Sequence, residues 1–232
     1  MRRRKGGVEI VSVCVERGSE LGQGLYSFAD LRVYLALSGD KDDAGHALDW
    51  LAHVLLPVAH HRRRPDYSFG DLISLFVVRE LKKTGVRTRD IRQAERYLRV
   101  KWDTDRPFTS GEIQTDGRGI YVDDDLIAGQ IESAERAGQQ VMRELVRKRL
   151  TSVNYDDGTG RAAYWIPHQH VLVDPRVQFG EPVVSGSRIP TAAVADMAHY
   201  ASPMEIQHQL NISGDKVEAA LSFERRIASL RN

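Results

Sequence analysis

Tyr26-Ser27-Phe28-Ala29-Asp30-Leu31 and Tyr67-Ser68-Phe69-Gly70-Asp71-Leu72 are nearly the same hexamer, 41 residues apart in one chain. In each, the Ser hydroxyl can accept a backbone N–H at a helix start, the Asp three residues on can reach back, and the preceding Tyr can staple onto the first turn. Both therefore predict helix starts, and two capping boxes explain the similarity without a repeated domain. The first predicts a helix over Phe28–Leu37. The second carries Phe69, Leu72, Ile73, Phe76, Val77 and Leu81 on one broad face and ends at Gly85, a plausible left-handed C′ residue.

Working outward, Thr88 is placed to cap a further helix. Ile91, Ala94, Leu98 and Trp102 form its inner stripe, Arg89, Arg92, Arg96 and Arg99 form another, and Pro107 lies beyond its end. Upstream, Gly39–Gly45 reads as an acidic turn and Ala47–Leu56 as a helix, which gives a helix–turn–helix outline. His60-His61-Arg62-Arg63-Arg64-Pro65 follows as a basic connector, either a wing or a solvated loop.

Residues 109–125 read as turns around a short Gly119–Val122 strand, and Ile127–Leu150 returns to helical spacing, at least from Gln139 on. Val153–Tyr155 and Ala162–Ile166 flank Asp157-Gly158, a hairpin signal that predicts a link between two halves. His170–Val173 and Pro182–Ser185 are short extended pieces. Three helices then follow, with Thr191, Ser202-Pro203 and Ser213 at their starts.

Composition narrows the class. With 41% hydrophobic and 28% charged residues over 232 positions, the chain can bury a core, and its length suits two domains. A single Cys14 and no apolar run of membrane-spanning length predict a cytoplasmic protein without a signal peptide, disulfide or membrane anchor. Net charge is only +1 but unevenly spread: residues 1–110 hold 20 Lys and Arg against 15 Asp and Glu, while residues 111–170 hold 7 against 10. That division suits a chain meeting a polyanion at one end and a different partner at the other.

The string Asp174-Pro175-Arg176-Val177-Gln178-Phe179-Gly180-Glu181-Pro182-Val183-Val184-Ser185-Gly186-Ser187-Arg188-Ile189-Pro190-Thr191 resembles the opening of a small trihelical domain, catalogued as of unknown function, that is usual in VapB-type antitoxins. Residues 24–165 resemble the longer form of that family, which places a MerR-like winged helix–turn–helix in front. The resemblance implies a mainly α fold with small β elements: an N-terminal segment (1–23), a MerR-like winged helix–turn–helix (24–108), a mixed linker with helix and hairpin (109–167) and a trihelical helix–turn–helix domain (168–232). It also implies an antitoxin whose partner is a PIN-like ribonuclease toxin and which represses its own promoter, with a homodimer expected for a two-fold operator.

The Arg89, Arg92, Arg96, Arg99 spacing lets four guanidinium groups track one phosphate backbone, with Arg62, Arg63 and Arg64 alongside; the bland reading is a solvated helix face. In the C-terminal unit, Ser213 and Lys216 would face DNA if the third helix is a reader, though this acidic unit equally suits dimerisation or toxin docking. Arg188 is placed either to contact phosphate or, more in keeping with its turn, to pair with a carboxylate. His60-His61 and His168-x-His170 lack the further ligands a metal requires. No catalytic motif is present, so neither catalysis nor a cofactor is expected. Two rival readings are a MerR-like ligand-responsive transcription factor without a toxin, and a metal-dependent nuclease using Asp123–Asp125.

Overall fold

The computed structural model describes residues 26–39, 45–46, 49–50, 53–55, 67–123, 125–129 and 143–231. Both hexamers open helices as their chemistry requires. Ser27 Oγ accepts from the Asp30 N–H at 3.2 Å and the Asp30 carboxylate accepts from the Ser27 N–H at 3.0 Å, starting α1 (Phe28–Leu37). Ser68 and Asp71 repeat the pair at 3.2 and 2.8 Å at the start of α2 (Phe69–Thr84). The tyrosines in front exchange backbone hydrogen bonds, Tyr26 N–H to Tyr67 carbonyl and the reverse, both 2.8 Å. The two capped starts are thus tied to each other.

Gly85 ends α2 at φ 104°, and the chain turns directly into α3 (Thr88–Lys101). Thr88 does not cap this helix. Arg87 occupies the cap position without a side-chain cap bond, and the Thr88 hydroxyl instead accepts from Lys82 Nζ at 3.0 Å.

The mainly α expectation, a MerR-like winged helix–turn–helix followed by a trihelical unit, is overturned by the strands. Among the described residues there are two four-stranded antiparallel sheets. The first has the order β3-β2-β1-β4, from β1 (Gln114–Thr115), β2 (Gly119–Val122), β3 (Asp125–Gly129) and β4 (Glu144–Leu145). The second runs β5-β6-β7-β8, from β5 (Val153–Tyr155), β6 (Ala162–His168), β7 (Val171–Val173) and β8 (Val183–Val184). Pieces of two to seven residues look like connectors in a sequence, but ladder hydrogen bonds between distant pieces decide the outcome. Within the predicted helix over Ile127–Leu150, the described residues form β3, β4 and a 3-10 turn at Val146–Arg149. There Gln114 pairs with Leu145, and the Val146 N–H donates to the Ile113 carbonyl at 2.9 Å. The Asp157-Gly158 hairpin does form, as one half of the second sheet.

Three helices close the chain: α4 (Thr191–Met197), α5 (Pro203–Leu210) and α6 (Gly214–Arg231). Ser202 and Glu205 make a third capping box, and Asn211 stops α5 in the left-handed region at φ 52°. Thr191 is buried and hydrogen-bonds Glu224 of α6 at 2.5 Å. These helices do not stand apart as a bundle, because α6 also packs on α1 and β7.

The larger core runs from Tyr26 to Ile227 around Trp165, which is fully buried between the rings of Tyr34 and Phe76 at 5.6 and 5.1 Å. A smaller core holds Val184, Val194, Ile206, Val217 and Ala220. α6 feeds both, with Phe223 and Ile227 in the first and Val217 and Ala220 in the second. No helix among the described residues is long and apolar enough to cross a membrane.

Candidate functional site

The outward side of α3 gathers more of the sequence-predicted residues than any other element. Its position follows from the turn before it: Gly85 and Gly117 pack so closely that a Cβ on Gly117 would stand 2.8 Å from the Thr84 carbonyl oxygen. Ile91, Ala94 and Leu98 are fully buried, and the helix lies over β2 and β3 with α2 alongside. Asp90 and Glu95 are buried as well. Asp90 accepts from Arg87 Nε at 2.7 Å and has Arg89 Nε at 3.4 Å, which neutralises the one acid of the first turn.

Helical geometry then separates the four predicted arginines. Arg89 and Arg96 are exposed and belong to an outermost line with Gln93 and Val100 at i, i+4, i+7 and i+11. Arg92 and Arg99 lie on its shoulder, half-buried. Arg92 Nε donates to the His53 carbonyl, and Arg99 pairs with Asp105 at 2.8 Å. On the other shoulder are the exposed Tyr97 and Lys101, with the ammonium 5.9 Å from the ring centroid. Val100 is 84% exposed, although the helix buries its other aliphatic side chains.

This side of the helix offers cations for phosphate, an amide and a phenol able to hydrogen-bond, and an apolar contact at its C-terminal end. Gln93, Tyr97, Val100 and Lys101 were not picked out from the sequence. The inner stripe carries a signal for Gln93 and Val100, which lie opposite it, but residue type points only to the arginines.

The remaining candidates fall elsewhere. Arg62, Arg63 and Arg64 lie outside the described residues, as do His60, His61 and Asp124. Arg188 is exposed in the turn before α4, and its carbonyl accepts from Gln178 Nε2 at 2.9 Å. Ser213 is exposed at the start of α6 and supplies its carbonyl to the Lys216 and Val217 N–H groups at 3.1 and 3.2 Å. Lys216 is half-buried, with Nζ 3.5 Å from where a Cβ on Gly186 would stand, so Lys216 and the Arg188 turn meet. Asp215 and Glu218 are exposed on the same helix turn, so this end carries both signs of charge.

Asp123 and Asp125 are both exposed, and Asp123 sits at φ 51° between β2 and β3. Among the described residues no group of three or more His, Cys, Asp or Glu side chains is arranged to hold a metal ion.

Comparison with known proteins adds three findings. A family described as protein of unknown function, DUF433, matches residues 171–223, which cover β7, β8, α4, α5 and the first half of α6. A Mycobacterium tuberculosis protein named "Putative antitoxin VapB45" is 26% identical over 152 residues, covering 60% of this chain. The match spans 61% of that relative's length. The crystal structure of Rv2018 from Mycobacterium tuberculosis shares the fold with a TM-score of 0.53 and 18% identity, over 85% of this chain and 97% of the other.

Proposed function

We propose that this chain is the antitoxin of a type II toxin–antitoxin pair, acting by binding and not by catalysis. In this reading a homodimer uses the outward line of α3 to hold DNA of its own promoter, and the C-terminal half holds a PIN-like ribonuclease toxin. The observation that carries the DNA part is the α3 surface, where Arg89, Arg96 and Lys101 are exposed beside Gln93 and Tyr97. Cations on one solvent-facing helix side match the regular spacing of phosphates along a duplex, and each neutralised phosphate releases counterions. The relative named as an antitoxin supports the toxin part.

The test is binding of the purified protein to DNA from upstream of its own gene, across a salt series, beside the double variant Arg89→Ala/Arg96→Ala. The reading expects sequence-specific binding that weakens by about tenfold in the variant, with the slope of log affinity against log salt shallower by about 2. Specific binding with an unchanged slope in the variant moves DNA contact off α3. Absence of specific binding removes the autoregulatory part.

A further inference from the structure

The molecule exposes two large apolar side chains close together in sequence on its C-terminal helices. Tyr200, in the turn between α4 and α5, is 77% exposed, and Met204, in the first turn of α5, is 68% exposed. Met204 and His208 are one helical turn apart and both face solvent, while Ile206 between them is fully buried. The start of α5 and the turn before it therefore present two exposed apolar side chains that the core does not need.

The segment that carries them is one-sided in charge. The run from Ile189 to Asp215 contains no Lys or Arg, in a chain that carries 33 of them. Within and just after this run, Asp196, Glu205, Asp215 and Glu218 are all exposed, and the one cation among them, Lys216, is half-buried. Glu205 accepts from the Ser202 N–H and hydroxyl at 2.7 and 2.8 Å; these bonds hold its carboxyl below the usual carboxylate range, so it stays ionised beside Met204.

An anionic surface with an apolar centre repels nucleic acid and attracts a cationic protein. Exposed Tyr and Met are also the side chains enriched at the centre of protein interfaces, where a charged rim sets the choice of partner. A second copy seated two-fold on the patch would set this anionic surface against itself, and one presenting its basic α3 side would meet it head to tail. The latter contact joins unlike surfaces and leaves one of each unfilled at the ends of an open chain.

We infer that the Tyr200–Met204 surface is the toxin-docking site, and that its occupant is a basic segment carrying an apolar side chain that seats between Tyr200 and Met204. The inference rests on the antitoxin reading above and deepens it by assigning the surface and the chemistry of the partner.

The probe is the purified toxin encoded beside this chain's gene, titrated against the full-length protein by calorimetry at low and high salt. Tyr200→Ala/Met204→Ala is expected to weaken binding at least tenfold, and Asp196→Lys/Glu218→Lys to weaken it severalfold at low salt and less at high salt. Met204→Leu, which conserves volume, retains binding. Thermal melts check that the exposed-site variants remain folded. Toxin binding that survives Tyr200→Ala/Met204→Ala overturns this docking site while leaving the antitoxin reading in place. Sedimentation showing that the same variant dissociates the free protein into smaller species assigns the surface to a second copy and also overturns the inference. A wild-type chain that does not bind the toxin overturns both.

Discussion

Arg92 and Arg96 stand one turn apart on α3 and differ in what they can give to a ligand. Arg92 is engaged with the His53 carbonyl, whereas Arg96 is exposed. Arg96→Ala should reduce the salt slope of DNA binding by about 1 with an unchanged melting temperature. Arg92→Ala should instead destabilise the fold by about 1 kcal/mol through its lost hydrogen bond, with a smaller change in slope; salt titrations and thermal melts on both variants separate the two roles. Asp116 gives a second prediction. Partial burial raises its carboxyl pKa, but the N–H groups of Gly119 and Arg118 and the Tyr121 hydroxyl outweigh that and hold it below the ordinary value of 3.8. With the folded value depressed, its contribution to stability is present above the unfolded value and is lost as pH falls through the folded one. Wild type should therefore lose more melting temperature than Asp116→Asn when the pH is taken from 6 to about 3.

At the scale of elements, the orientation of α3 depends on two glycines. Gly85 at φ 104° and Gly117 at φ 89° hold conformations that an L side chain adopts only with strain, and each faces the other's turn. Gly117→Ala should cost about 2–3 kcal/mol, since its Cβ would press on the Thr84 carbonyl, and Gly85→Ala about 1–2 kcal/mol; urea unfolding gives the order directly. The helices were legible in the sequence because capping is local: Ser27 with Asp30, Ser68 with Asp71 and Ser202 with Glu205 each act within four residues. The sheets were not. A two-residue strand such as Gln114–Thr115 has no periodicity to read, and it is defined by partners at Ile120–Tyr121 and Glu144–Leu145 that only the folded chain supplies. The candidate site was half legible for a related reason. Residue type located Arg89 and Arg96, but whether a given arginine is already engaged depends on His53 and Asp105, which no helical spacing encodes.

For the whole molecule, the decisive element is α6, which enters both cores and whose Arg231 pairs with Asp30 of α1 at 3.0 Å. Phe223→Ala removes a fully buried ring and should cost about 3–5 kcal/mol. Because Phe223 and Trp165 share one core, Trp fluorescence and far-UV circular dichroism should shift together to lower urea; a Trp signal that keeps its wild-type midpoint would mean that the C-terminal helices melt independently. The same helix sets a condition on synthesis. A ribosome makes Tyr26, Tyr34, Phe76 and Trp165 long before Phe223 and Ile227, so the nascent chain carries an uncovered apolar surface until those codons have been translated. A transcript cut upstream of codon 223 thus yields a polypeptide that cannot close its interior and is open to proteolysis, which makes folding itself a check that the message was read through α6.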